Sequence, residues 1–182
     1  TTHVKAELVN SIVVGKSTST TARGVQVQGT AGNFQRNLVI GFPEGIVNYG
    51  GGSGYIANNI CVKNGYGIRS FGDYLTYRYD TYVNNISVGN TTNWGVQPTS
   101  LEFASHNIGE SADTTIWASS GESSYTMTTD DFADFANNDF RPALSTSPQV
   151  DSALEFYGSM MRDIADAEVP NYNNGGAEAV DI

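Results

Sequence analysis

Lysine, histidine, cysteine and proline are scarce in this chain: 182 residues contain three Lys, two His, one Cys and five Pro. A single cysteine, Cys61, excludes an intrachain disulfide framework and a cysteine-rich zinc site. His3 and His106 lie far apart in the chain, and with one thiol they form no recognisable nucleophile–base arrangement. Charged residues make up only 15% of the sequence, and nineteen acidic against nine basic side chains leave a net charge of −10. Such a balance argues against non-specific nucleic-acid binding and against attraction to anionic membranes. No apolar run approaches the roughly 18 residues a membrane helix needs, so no membrane insertion is expected. The chain opens on Thr1-Thr2-His3 with neither an initiator Met nor a signal-peptide pattern, and it stops at Asp181-Ile182 without a cap. Those ends read as a segment of a longer protein.

What is abundant is repetition. Ser11-Ile12-Val13-Val14-Gly15, Asn37-Leu38-Val39-Ile40-Gly41, Asn59-Ile60-Cys61-Val62-Lys63 and Asn85-Ile86-Ser87-Val88-Gly89 are versions of one motif, with a weaker copy at Asn107-Ile108-Gly109. Their leading residues are 26, 22, 26 and 22 positions apart. A unit that recurs at this period cannot bury its apolar face alone and must stack on its neighbours. Gly24-Val25, Gly45-Ile46, Gly67-Ile68 and Gly95-Val96 follow as a second strand series. Glu7-Leu8-Val9, Gly32-Asn33-Phe34, Gly54-Tyr55-Ile56 and Thr81-Tyr82-Val83 form a third. Three short strands per coil predict an all-β chain, a right-handed parallel β-helix, its hand set by the general preference of parallel crossovers.

Period-2 alternation then assigns faces. Ile12, Leu38, Ile60, Ile86 and Ile108 are expected to stack inward, with Val14, Ile40, Val62 and Val88 as the next inward ladder. Val13, Val39 and Cys61 between them would point outward, an apolar stripe that needs a cover and therefore a candidate interface. The cover would be the C-terminal segment, through Phe132, Phe135 and Phe140, or another subunit, including a second copy of this chain. Ser11, Asn37, Asn59, Asn85 and Asn107 mark one corner, where asparagine suits the left-handed conformation and its amide can form a stacked ladder. A structural ladder is the reading here, a polar binding row the alternative.

The rhythm ends near residue 110. The domain reading is coils over 1–110, a Ser/Thr-rich loop or irregular coil over 111–129, and an irregular C-terminal segment over 130–182 that packs on the helix and is cut short. Within that segment, Asp130 to Phe135 suggests a short helical turn capped by aspartate, and Ser152 to Asp166 a helix ended before Pro170.

The Asn-Ile-x-Val coils resemble the right-handed parallel β-helix superfamily of pectate-lyase-like proteins and phage tailspikes. Asn138-Asp139-Phe140-Arg141-Pro142, Ser147-Pro148-Gln149-Val150-Asp151, Arg162-Asp163-Ile164 and Val180-Asp181-Ile182 resemble the choice-of-anchor ending that follows β-helices in secreted bacterial and phage-encoded proteins. The resemblance implies an extracellular, cell-surface or virion-surface location. It names no activity, because this fold hosts many functions.

β-Helix lyases need a basic Arg or Lys beside Ca²⁺-binding carboxylates, and glycosidases of this fold use clustered aspartates. The middle coils offer Arg36, Arg69 and Arg78 with Asp73 and Asp80, and no stacked aspartate column, so no catalytic residue is assigned. Tyr74, Tyr77, Tyr79 and Trp94 belong to an aromatic crowd over 66–94 whose rings suit either sugar faces or the core. Asp163 and Asp166 near Gly175-Gly176 are the candidate Ca²⁺ ligands, though their spacing is not that of an EF-hand and acidic loops are ordinarily solvated; no other cofactor is expected. The function read from sequence is a non-catalytic structural or adhesive segment contacting other subunits, in a homo-oligomer or otherwise, and surface polysaccharide. Its rival is part of a polysaccharide lyase or glycosidase whose active site lies in missing coils or at a subunit boundary.

Overall fold

The computed structural model describes residues 6–16, 19–28, 32–49, 54–71, 80–96, 101–110 and 125–144. Its strands come in triplets: β1 (Ala6–Val9), β2 (Ile12–Val14) and β3 (Arg23–Gln28); β4 (Gly32–Gln35), β5 (Leu38–Ile40) and β6 (Glu44–Tyr49); β7 (Gly54–Ala57), β8 (Ile60–Val62) and β9 (Tyr66–Phe71); β10 (Asp80–Val83), β11 (Ile86–Val88) and β12 (Thr92–Gly95). β13 (Leu101–Ser105), β14 (Ile108–Gly109) and β15 (Tyr125–Thr126) extend the stack. Equivalent members pair in parallel, giving sheets ordered β1-β4-β7-β10-β13, β2-β5-β8-β11-β14-β15 and β3-β6-β9-β12. The chain is thus an all-β solenoid of stacked parallel sheets. Register follows the sequence repeat directly: Ile12 pairs with Leu38, Leu38 with Ile60, Ile60 with Ile86 and Ile86 with Ile108.

Corners are built by backbone conformation. Asn10, Arg36, Asn58, Asn84 and His106 all have φ between 53° and 56°. Each immediately precedes a ladder residue, so the left-handed bend falls one position earlier than the sequence reading places it. Asn accounts for three of these five, as its short polar side chain allows. A second bend recurs at Gly41 (φ 78°), Lys63 (φ 56°) and Gly89 (φ 66°), where a lysine stands in a column of glycines.

The faces of β2, β5, β8 and β11 are the reverse of those expected. Val39 and Cys61 are fully buried and Val13 packs against the same core, with Val25, Phe34, Ile46, Ile56, Ile68, Tyr82 and Trp94 from the other two sheets. Val13, Val39 and Cys61 therefore line the interior and are not an outer stripe. The Ile12 and Val14 columns point outward, and those two residues are 61% exposed. The reason is volume. The interior is tight enough that a Cβ on Gly24 would lie 2.6 Å from Val39 Cγ1, so the smaller column goes inside.

The outward columns are apolar because they have a cover of their own. After β15 a 3-10 turn (Thr129–Asp131) leads into the antiparallel pair β16 (Phe132–Asp134) and β17 (Asp139–Pro142). Thr128 caps the turn, and its capping box is closed by Asp131. The expected aspartate-capped helical turn is therefore a single 3-10 turn, and Phe132 begins a strand. Phe132, Phe135 and Phe140 stand with ring centroids 5.6–5.7 Å apart. They join Met127 in a second cluster over Ile60, Val62, Ile86, Val88 and Ile108. Burial of each such side chain contributes about 1.5–3 kcal/mol, which is what holds the hairpin on the sheet.

Candidate functional site

The asparagine corner is a continuous buried ladder. Each side-chain amide accepts at Oδ1 from the coil before it: the backbone N–H of Ser11, Asn37, Asn59 and Asn85 donates to Asn37, Asn59, Asn85 and Asn107 at 3.0–3.1 Å. Each Nδ2 donates to a backbone carbonyl of the preceding coil, on Leu8, Phe34, Ile56 and Tyr82, at 2.8–2.9 Å. The amides also bond to one another at 2.9 Å, Asn37 to Asn59, Asn59 to Asn85 and Asn85 to Asn107. The four are 0–2% exposed. This is a structural ladder with its hydrogen-bonding capacity turned inward, as buried polar groups require.

A second ladder, absent from the sequence reading, runs five positions later. Asn64 Oδ1 accepts from Phe42 N–H and Asn90 Oδ1 from Asn64 N–H, at 2.9 and 2.8 Å. Asn90 Nδ2 reaches Cys61 O, and Asn93 Nδ2 passes the chain on to Glu110 at 2.8 Å. The signal is in the spacing: Asn64 and Asn90 repeat at the same 26-residue step as Asn59 and Asn85.

Ionisable groups from three coils converge where Arg23 and Glu44 open β3 and β6 and Arg69 reaches back from the middle of β9. Glu44 accepts from Arg23 Nε at 2.5 Å through one oxygen and from Arg69 Nη1 at 2.7 Å through the other. The Arg69 guanidinium also lies over the Tyr66 ring, 4.1 Å from its centroid. Gly95, next along the sheet, makes room for this pair, since a Cβ there would lie 2.9 Å from Arg69 Cγ. All three charged side chains keep some exposure, 31%, 12% and 24% for Arg23, Glu44 and Arg69. Both carboxylate oxygens are engaged by guanidinium donors, so Glu44 serves here as an anchor for the two arginines. The result is a positively charged, ring-backed patch on an acidic chain, suited to hydrogen-bonding an oxygen-rich or anionic ligand.

Of the residues singled out from sequence, Arg69 and Tyr66, the first ring of the aromatic crowd over 66–94, are found in this cluster. Trp94 is 2% exposed and packs in the interior, so it presents no ring face to a sugar and is removed from the candidate binding residues. Tyr74, Tyr77, Tyr79, Asp73, Arg78, Asp163, Asp166 and His3 lie outside the described residues. Asp80 opens β10, and Arg36 and His106 are left-handed corner residues. Cys61 is buried in the core, and that burial pushes its thiol well above its ordinary value, against a smaller opposing effect from a backbone hydrogen bond at Ile46. Among the described residues no group of three or more His, Cys, Asp and Glu could hold a metal ion, and no helix is long and apolar enough to cross a membrane. Neither a family model, nor a curated protein, nor a solved structure matches the chain.

Lys63 is a further residue that the sequence reading gives no role. Its amine donates to Ala136 O at 2.9 Å and Asn138 Oδ1 at 2.7 Å, and lies 5.0 and 5.9 Å from the Phe135 and Phe140 ring centroids. It clasps the tip of the covering hairpin to the solenoid. A lysine where equivalent coils carry glycine is the signal that marks it.

Proposed function

We propose that this chain is a non-catalytic structural and adhesive segment of an extracellular or virion-surface β-helix protein, right-handed in its wind, akin to the pectate-lyase-like and tailspike-like superfamily, with a choice-of-anchor type of ending. The asparagine ladder carries the reading. Its amides bond coil to coil in the interior, so the most regular polar feature of the sequence stiffens a shaft and offers nothing to a ligand. Surface polysaccharide is the proposed partner of the Tyr66–Arg69 patch, where a ring face and guanidinium donors stand together. Other subunits are the proposed partners of the remaining faces. No cofactor is needed for either role.

The second reading, part of a polysaccharide lyase or glycosidase completed by other coils or subunits, is favoured by the same cluster, because Arg69 is held in place beside Tyr66 and Glu44. Incubation with acidic and neutral polysaccharides separates the two. The adhesive segment retains an acidic polysaccharide, weakens on Arg69→Ala and releases no products. Reproducible release of unsaturated or reducing ends, lost on Arg69→Ala, establishes the enzyme reading instead.

A further inference from the structure

Asn-Gly occurs twice in this chain, at Asn64–Gly65 and Asn174–Gly175. The pair is chemically labile, because a residue without a side chain lets its backbone nitrogen swing onto the amide carbon before it. Asparagines of the first ladder are shielded by bulky successors, Leu38, Ile60, Ile86 and Ile108. Asn64, in the second ladder, is followed by glycine, and the fold demands that glycine: a Cβ at position 65 would lie 2.4 Å from Pro43 O. The turn between β8 and β9 thus carries a labile pair as a packing requirement. Every group the reaction needs is engaged there. Gly65 N–H donates to Phe42 O at 2.8 Å, and Gly65 O accepts from Thr92 N–H at 2.8 Å. Asn64 Oδ1 accepts from Phe42 N–H at 2.9 Å, while Nδ2 donates to Val39 O and to Asn90 Oδ1, each at 3.1 Å. The side chain is buried, and Gly45 lies so close that a Cβ there would sit 3.2 Å from Asn64 Cγ.

We infer that Asn64–Gly65 is a latent site of self-modification, closed by the second ladder and opened whenever the β8–β9 turn leaves its neighbours. Once it is open, Gly65 N attacks Asn64 Cγ. The N–Cγ bond forms, the Cγ–Nδ2 bond breaks, and Nδ2 departs as ammonia with the proton from Gly65. Water then opens the succinimide at either carbonyl, which leaves an aspartyl residue or, with the main chain rerouted through the side chain, an isoaspartyl one. No oxidant, reductant or cofactor takes part. Neither product fits the rung. In the aspartyl form an oxygen replaces the Nδ2 donor and faces Val39 O and Asn90 Oδ1, acceptors like itself, in a buried position. The isoaspartyl form lengthens the backbone between β8 and β9, whose registers with β5 and β6 leave no slack. Opening of this turn is thereby made permanent, so the second ladder governs how long the solenoid lasts as well as how firmly it is held.

Peptide mass mapping of the full chain, held in mildly alkaline buffer, reads amide-to-acid conversion at Asn64 and Asn174 separately. In urea the two should convert at rates within a few-fold of each other, since both are followed by glycine. In the native chain Asn64 should convert on the order of a hundredfold more slowly than in urea. Asn90→Ala takes away the acceptor of the Asn64 backbone N–H and of its Nδ2, and should raise the native rate at position 64 by on the order of tenfold. Cys61, buried in the core, should stay slow to thiol reagents in that variant, which shows the solenoid folded. Should Cys61 label fast instead, Asn90→Ser gives the same readout. Asn64→Asp, the direct product, should lower the urea midpoint or prevent folding. A native rate at Asn64 within a few-fold of the rate in urea overturns the inference. So does a native rate that loss of the Asn90 amide leaves unchanged, and so does an unchanged midpoint for Asn64→Asp.

Discussion

Replacing Asn59 by leucine, which keeps the branched side-chain skeleton and removes its polar atoms, tests the ladder at its centre. The side chain is fully buried and makes four hydrogen bonds: Oδ1 accepts from the Asn37 backbone and from Asn37 Nδ2, while Nδ2 donates to Phe34 O and Asn85 Oδ1. The substitution affects these partners unequally. Asn37 Nδ2 keeps Leu8 O, and Asn85 Oδ1 keeps the Asn59 backbone N–H. The Asn37 backbone N–H loses its acceptor, and Phe34 O loses the side-chain donor that closed the corner. A buried polar group left without its partner costs about 1–3 kcal/mol, and the two surviving partners each lose a bond worth about 1 kcal/mol. Leucine recovers some of this by packing, which leaves an expected loss of about 3–5 kcal/mol. That is a large share of the roughly 5–15 kcal/mol typical of a domain. Ser11→Ala is the matched control, since this half-buried hydroxyl makes one bond, to Val9 O, and should cost about 1 kcal/mol or less. Urea unfolding followed by circular dichroism measures both, with the denaturant slope checked for constancy. Asn37→Leu combined with Asn59→Leu should cost less than the two singles added, because both remove the one bond from Asn37 Nδ2 to Asn59 Oδ1. A loss below about 1 kcal/mol for Asn59→Leu, or strict additivity of the pair, refutes the ladder as a source of stability.

Lys63→Ala removes the clasp on Ala136 and Asn138 while keeping a left-handed Cβ, so hydrogen exchange at residues 132–142 should rise, and Lys63→Gly should loosen the hairpin equally but regain about 1 kcal/mol of backbone strain. Gly109→Ala should destabilise by about 1–3 kcal/mol in the same denaturation assay, since its new Cβ would sit 2.5 Å from Trp94 Nε1. Asp139 is held down to about 2, chiefly by the Arg141 side chain, so its contribution to the hairpin is complete above its ordinary value of 3.8 and disappears as the pH falls toward 2. Arg141→Ala should move the Asp139 titration, followed by NMR, back up toward 3.8, and an unmoved titration contradicts the pairing.

Register was legible in the Asn-Ile-x-Val series, where each repeat pairs with the next at the position that the spacing implies; in the other two series it slips, Ile68 pairing with Trp94 where the sequence reading set Val96, and Phe34 with Leu8 where it set Val9. The site was legible only in part. Arg69 stood out as a middle-coil base, but its partners Arg23 and Glu44 come from two earlier coils and share no local motif with it. Glu44 and Tyr66 are brought together by pairing across β6 and β9, which a scan for nearby residues does not register.

The inverted faces have a definite cause, and it carries a lesson about this kind of sheet. Alternation identifies the buried side of a strand when the other side meets water, but a sheet covered on both faces reads as a nearly continuous apolar run. β5 (Leu38–Ile40) and β8 (Ile60–Val62) are such strands, with the core on one face and the outer cluster on the other. Hydrophobicity therefore cannot choose between their two faces, whereas volume can. Along the true interior column the residues shrink from Val13 and Val39 through Cys61 to Ser87 and Gly109. The facing sheet β3-β6-β9-β12 grows in the same direction, from Val25 through Ile46 and Ile68 to Trp94 on the fourth coil. Trp94 occupies the space that Gly109 leaves open, and Ser87 donates to Asn93 O at 2.7 Å beside it. An interior of nearly constant cross-section requires this compensation, because packing at protein density tolerates neither a void nor an overlap of even one methylene. The outward columns face a cover that is free to settle at its own height, and they show no such trend: Ile12, Leu38, Ile60, Ile86 and Ile108 are nearly uniform in size. In a solenoid covered on its outside, then, the interior column is the one whose volume answers a facing sheet, here the Val25–Ile46–Ile68–Trp94 column.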